Sequence, residues 1–450
     1  MRALLVALVV AVSLAGLPPV GAQDTPVSPP DTCIGTIEEE PAESTVISIQ
    51  GTRVGSKEMA LLLSVAPDGS VEWVQNSTAN GRWWAYDVDP LPNGTYLYAT
   101  TGGRDSLVGE FDPATGEYVW LERFGGRPDS QTNPRVRDAH DADLVGDELI
   151  IADKGEGHER LLAYNLTAGR VTWEWRFDEH PEAFPTDGGG PPGDWTHVND
   201  VDTVGEDLYL TSPRNFDKVI LVNRTSGDIE LTLGSDGNHE VLFEQHNPDH
   251  LWGPDGEHTF LVADSLNDRV VEYEYDDASD SWDRVWTVTG LDEPRDADRL
   301  ANGNTLVTDR KGHRVLEVTP SGRTVWEVYT PYEPYDAERG PDESNGPTMR
   351  EQGVTGTYGV TNDAGFSTAE IERCADDLFD FAATDTGLLG GGDAFTASAA
   401  FETGEETTAG GDPAATPPPG GSEAGLPVAR ALAGLLLVLV ALGLAVRRYR

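Results

Sequence analysis

Residues 141–153 read DADLVGDELIIAD: an Asp-x-Asp element, a turn carrying Gly146, and a short strand over Leu149–Ala152. The same phrase returns along the chain. Asp87-Val88-Asp89 precedes LPNGTYLYAT, Asp200-Val201-Asp202 precedes TVGEDLYLTS, and Asp296-Ala297-Asp298 precedes RLANGNTLVTD. A degenerate copy, Asn247-Pro248-Asp249, is followed by GPDGEHTFLVAD, and a sixth element, Asp336-Ala337-Glu338, lacks the strands that should follow it. Elements starting at 87, 141, 200, 249, 296 and 336 are 40 to 59 residues apart. Self-similarity at that period is the mark of a β-propeller.

Within a unit the strands alternate, as in Leu149 and Ile151, then Leu162 and Tyr164, then Val171, Trp173 and Trp175. A sheet of a few short antiparallel strands cannot bury both faces alone, so the units must stack radially. The expected fold is therefore all-β, a six-bladed propeller over residues 23–375. The strands missing from the sixth unit are expected from Thr45–Gln75, which holds strand-like runs at Met59–Val65 and Val71–Val74 around Pro67-Asp68-Gly69. A ring closed by strands from both chain ends leaves no exposed edge. Cys33 and Cys374 are the only cysteines and flank this region. In an exported protein such a pair is expected to form a disulfide that clips the closure. Little helix signal is read outside the two termini.

The ends set the expected location. Arg2 precedes an apolar run from Ala3 to Leu17, and Val20-Gly21-Ala22 offers small residues for cleavage, so 1–22 reads as a secretory signal or an N-terminal anchor. Residues 376–424 turn to Gly, Ala, Thr, Pro and acid with no hydrophobic period, the composition of a disordered stalk. Residues 425–446 are apolar apart from Arg430, long enough for a transmembrane helix, and 447–450 read Arg447-Arg448-Tyr449-Arg450, a basic tail that stays in the cytoplasm. The expected arrangement is a single-pass membrane protein with its propeller on the extracellular face. Sequons at Asn76, Asn93, Asn165 and Asn223 suit an exported glycoprotein.

The formal charge is −47, and apart from Lys57, Lys154, Lys218 and Lys311 every basic residue is Arg. A surface this acidic repels itself at ordinary ionic strength and is screened in molar salt, which points to a halophile. No basic stripe interrupts it, so nucleic acid is excluded as a partner.

A propeller concentrates function where the first strand of each blade begins. The residues at or before each Asp element are Tyr86, His140, His197 with Asn199, Gln245-His246, Arg295 and Tyr335. Imidazoles converging on one axis can carry protons, bind metal or act as nucleophiles. The segments RDAHDADLVGDELIIADKG, DWTHVNDVDTVGEDLYLTSPRNFDKVILVN, EQHNPDHLWGPDGEHTFLVADSLNDRVVEY and PRDADRLANGNTLVTDRKGHRVLEV together resemble the arylsulfate sulfotransferases (arylsulfotransferases). These are six-bladed propellers that pass a sulfuryl group between phenols without a nucleotide donor. The resemblance covers roughly Thr45 to Thr348. It implies that His246 is the nucleophile, forming a sulfohistidine, and that His140, His197 and Arg214 complete the catalytic set, with no cofactor and no metal. The expected partners are a small phenolic sulfate donor and a phenol acceptor. The chain departs from the family in lacking a separate N-terminal β-domain and in carrying a stalk and anchor, which bears on the substrate.

The chemistry suits those residue types. A sulfate ester is an anion that needs fixed donors, supplied by the planar fork of Arg214 and the N–H groups of His140 and His197. Neutral His246 can attack sulfur and later release the group, splitting one transfer into two. His140 or His197 would carry the phenol proton. Plainer roles stand beside these: His140 and His197 as hydrogen-bonding strand residues, Arg214 as a surface partner of Asp217, and the Asp pairs as caps or turn residues rather than calcium ligands. The competing functions are a non-catalytic cell-surface propeller that binds a ligand or envelope protein, and a His-ligated metal hydrolase, which the lack of a carboxylate at ligand spacing disfavours.

Overall fold

Short apolar runs bounded by Gly and Asp turns form six antiparallel sheets in the computed structural model, which describes residues 31–53, 56–57, 60–76, 84–102, 105–125, 135–155, 157–205, 207–340, 346–382 and 388–389. Blade 1 spans Trp84–Phe124, blade 2 Ala139–Arg176, blade 3 Val198–Gly234, blade 4 His246–Thr289 and blade 5 Pro294–Tyr329. In blade 6 the strand Glu333–Arg339 pairs with Thr45–Gln50, which continues through Leu61–Val65 to Val71–Asn76. The all-β, six-bladed propeller expected from the repeats is the fold.

Each strand's two faces serve different neighbours, because successive side chains point to opposite sides of a sheet. Ile150 and Leu161 of blade 2 pack with Val201 and Ile220 of blade 3, while Leu149, Ile151 and Leu162 pack the other way with Leu97 and Val108 of blade 1. That is why 149–152 is an unbroken apolar run. Equivalent clusters lie between blades 3 and 4, 4 and 5, 5 and 6, and 6 and 1. At the axis, Asp141 Oδ2 accepts the Val201 N–H at 2.6 Å, Asp143 Oδ2 the Thr203 N–H at 3.0 Å, and Asp336 Oδ2 the Val88 N–H at 2.7 Å. These carboxylates bridge successive blades rather than capping their own turns.

A helix over Thr368–Ala382 corrects the expectation of little helix, and it runs past the expected start of the stalk at residue 376. Ser367 and Glu370 cap it: the Ser367 N–H and Oγ–H both donate to the Glu370 carboxylate, at 2.8 and 2.6 Å. Its apolar side sets Leu378 and Phe381 against the core between blades 5 and 6. Cys374 on this helix is disulfide-bonded to Cys33, beside the strand Ile34–Ile37 that extends blade 5. The expected signal (1–22), most of the stalk, the transmembrane helix (425–446) and the basic tail lie outside the described residues. No helix among the described residues is long and apolar enough to cross a membrane.

Candidate functional site

All six innermost strands carry one extra residue near the Asp element, one position later in blade 4 than in the others. His140 is the inserted residue between the register pairs Ala139↔Asp153 and Asp141↔Ala152; Arg295 and Tyr335 occupy the same slot in blades 5 and 6. In blades 1, 3 and 4 the two residues Tyr86-Asp87, Asn199-Asp200 and Asn247-Pro248 stand opposite one. A bulge re-aims the side chain it carries. Here it breaks the alternation just before the Asp element, so that His140 reaches its neighbours' rings while Asp141 still lines the channel.

Two residues upstream of the bulge, three in blade 4, the backbone turns left-handed at Asp138 (φ 61°), His197 (φ 45°), Glu244 (φ 46°) and Glu293 (φ 51°), a costly conformation for a residue with a side chain. The step serves the imidazoles. The Asp138 carbonyl accepts from His140 Nδ1 at 3.1 Å, and the Glu244 carbonyl from His246 Nδ1 at 3.0 Å. A carbonyl can only accept, so Nδ1 bears the proton in both rings and Nε2 is the basic nitrogen. His197 differs. It occupies the left-handed position itself, and Asn199 takes the bulge slot, so the three histidines do not share one repeat position. Its Nδ1 lies 2.7 Å from Asp194 Oδ1, which orients the ring.

The rings form an arc: His246 to Tyr335 at 6.1 Å between centroids, Tyr335 to Tyr86 at 5.3 Å, Tyr86 to His140 at 4.0 Å, and His140 to His197 at 5.0 Å. His246 Nδ1 also lies 2.9 Å from Ser265 Oγ, whose proton goes to the Pro294 carbonyl at 2.6 Å. The Arg295 guanidinium contacts both ring nitrogens of His246. Arg214 begins the short 3-10 turn Arg214–Phe216 after the second strand of blade 3. It lies 3.6 Å from Glu244 Oε2, two residues before His246, and not against Asp217, whose carboxylate accepts the Gly237 and Glu244 N–H groups. Asp138 and Asp194 are drawn in by Lys154, whose Nζ is 3.3 and 3.4 Å from them, and the Tyr86 hydroxyl donates to Asp138 at 2.7 Å. Burial pushes the Asp138 carboxyl up, but Lys154, His140 and Tyr86 outweigh it and hold it below its ordinary value.

His140, His197, His246 and Arg214 are all buried. Arg295 and Ser265 touch His246 but were not among the residues singled out as catalytic. Arg295 had a legible signal, since it precedes Asp296 just as His140 precedes Asp141; Ser265, in a turn after the second strand of blade 4, had none. Further along the axis the channel is acidic. Asp87, Asp141, Asp200, Asp296 and Asp336 line a cavity of about 220 Å³. Burial raises these carboxyls, Asp141 to about 6 and Asp336 to about 7, and burial reinforced by mutual repulsion holds Asp87, Asp200 and Asp296 well above their ordinary value.

No family model matches the sequence, and neither does any curated protein. Solved structures similar to part of the chain include a Bacteroides caccae protein of unknown function, 14% identical over 64% of this chain and 93% of that one, TM-score 0.45. A catalytically inactive virginiamycin B lyase from Staphylococcus aureus is 8% identical over 66% and 87%, TM-score 0.37. An auxiliary nutrient binding protein from Bacteroides thetaiotaomicron is 8% identical over 62% and 66%, TM-score 0.40.

Proposed function

We propose that this protein is an aryl sulfotransferase that passes a sulfuryl group from a phenolic sulfate ester to a phenol through His246. The observation that carries the reading is the setting of His246: its Nδ1 proton is held by the Glu244 carbonyl and Ser265 Oγ, and a guanidinium stands against the ring. That tautomer puts the ring's lone pair on Nε2, where the Arg295 guanidinium stands, so attack on sulfur requires Arg295 to move off the ring.

In the first half-reaction His246 Nε2 attacks sulfur, the N–S bond forms as the S–O bond to the phenol breaks, and the phenolate leaves with that electron pair. His197, oriented by Asp194, gives it a proton. In the second half His197 takes the proton of the incoming phenol, whose oxygen attacks sulfur and returns His246 to its neutral form. Arg295 turns from the imidazole to the sulfuryl oxygens, and Arg214 supplies a second fork. The sheet shared by Thr45–Asn76 and Glu333–Arg339 is, on this reading, the closure that fixes the channel, and 425–446 is the membrane anchor that holds the propeller outside the cell.

The burial of the whole cluster favours a second reading, a non-catalytic surface propeller in which these side chains only rigidify the channel. One experiment separates the two. The protein in high salt is mixed with a phenyl sulfate donor, quenched within seconds and digested. A labile sulfuryl group on the peptide containing Glu244–Asp249, lost in His246→Ala, supports the enzyme. No transfer to a phenol and no labelled peptide supports the non-catalytic propeller.

A further inference from the structure

One step along the axis from the imidazoles, Asp141 from blade 2 and Asp200 and Asp202 from blade 3 bring one carboxylate oxygen each to within 4.8 Å of one another. They line the channel cavity. Asp141 has a backbone partner, the Val201 N–H. Asp200 is different: it is 3% exposed, and its Oδ2 is buried without a hydrogen-bond partner. A buried carboxylate oxygen with no donor, facing other carboxylates, is costly unless a cation completes it. Asn247 Oδ1, a neutral oxygen on the same cavity, is likewise buried and unpaired.

We propose that Asp141, Asp200 and Asp202 hold one calcium ion in the central channel, joining blades 2 and 3. The donors are all oxygen, which selects a hard cation over zinc or copper. Calcium–oxygen bonds of about 2.3–2.6 Å let ligand oxygens stand up to about 4.6–5.2 Å apart, so three oxygens all within 4.8 Å of one another can share one ion, and calcium accepts an irregular oxygen shell where magnesium demands a near-octahedral one. Calcium takes about 6–8 oxygens, and the cavity leaves room for water and Asn247 to complete the shell. The ion neutralises the carboxylates that repel across the axis. It also sets the spacing of the two bulges beside it, and so the 5.0 Å between His140 and His197. Its role is structural and positioning, and it stands whether or not His246 takes a sulfuryl group.

The test uses the full chain in detergent, stripped with chelator, in about 2 M KCl so that surface carboxylates are screened. Equilibrium dialysis with radioactive calcium should find one tight equivalent per chain. Calcium at a hundredfold excess over Kd should raise the melting temperature by roughly 4 °C. Asp200→Asn and Asp202→Asn should each lose the tight equivalent and the rise. Without calcium Asp200→Asn should melt at or above the wild type, because a buried charge is gone, so loss of binding is not read from an unfolded protein. Absence of a tight equivalent in the wild type, an equal response to magnesium, or an equal loss in the exposed control Asp283→Asn overturns the assignment.

Discussion

Glu159 ties the electrostatics of this protein to the placement of His197. Its Oε1 accepts the Trp195 N–H at 3.0 Å, holding the segment that carries Asp194 and His197, and the residue is only 3% exposed. Burial pushes its carboxyl up from 4.5 to about 7; the Trp195 and Thr196 N–H groups and Lys154 pull it down, and Asp194 adds to the rise. The sign follows from linkage. Below the unfolded value both states are protonated and the stability is fully present, and it is lost as pH rises through the folded value near 7. From about pH 5 to about pH 8 the loss is roughly 2.5 kcal/mol at 1.36 kcal/mol per unit. For a propeller of about 350 residues, with an unfolding entropy near 2 cal/mol/K per residue, that is roughly 3 °C in Tm. Glu159→Gln keeps the acceptor for Trp195 and removes the titration. Calorimetry at the two pH values should therefore show a fall in Tm roughly 3 °C smaller in the variant than in the wild type. Parallel curves would refute the argument, since other raised carboxyls such as Asp153 and Asp309 titrate in both proteins.

Arg295→Ala and Arg214→Ala should each slow sulfuryl transfer by roughly 10² to 10³ with folding retained, as for a lost transition-state donor; unchanged rates in steady-state assays would remove them from the mechanism. Glu272 and Arg299 form a fully buried pair at 2.9 Å, so Glu272→Gln should destabilise by about 3–5 kcal/mol in denaturant titration, because it strands a charge. The disulfide spans 341 residues, and its loss in Cys33→Ser should cost up to about 6 kcal/mol on the chain-entropy account; an unchanged denaturation midpoint would mean that the helix docks as well without it. Protease added to intact cells should cut the propeller and spare the basic tail after Val446, whereas protection of the propeller would reverse the proposed topology.

The repeat was legible because period-2 alternation and Asp-x-Asp spacing are local and recur, so 141–153 alone announced a blade and its copies numbered the ring. His140, His197 and His246 could be named because they stand at or shortly before an Asp element, whereas Arg214 was named only through the resemblance to the arylsulfate sulfotransferases. The capped helix was also written locally, in Ser367-Thr368-Ala369-Glu370, but its apolar positions are too diluted by acid to stand out before its burial side is known. What only the tertiary structure decided is which atoms meet across blades. One inserted residue per innermost strand turns His140, Arg295 and Tyr335 inward, and it sets Arg295 of blade 5 against His246 of blade 4. His197 stands outside that slot already in the sequence, three residues before Asp200 where His140 is one before Asp141, but that a bulge occupies the slot is a matter of register between strands and leaves no mark in the strand that bears it. The unsatisfied Asp200 carboxylate is likewise invisible along the chain, since in sequence every Asp element looks alike and only the closed ring determines which of them finds a backbone donor.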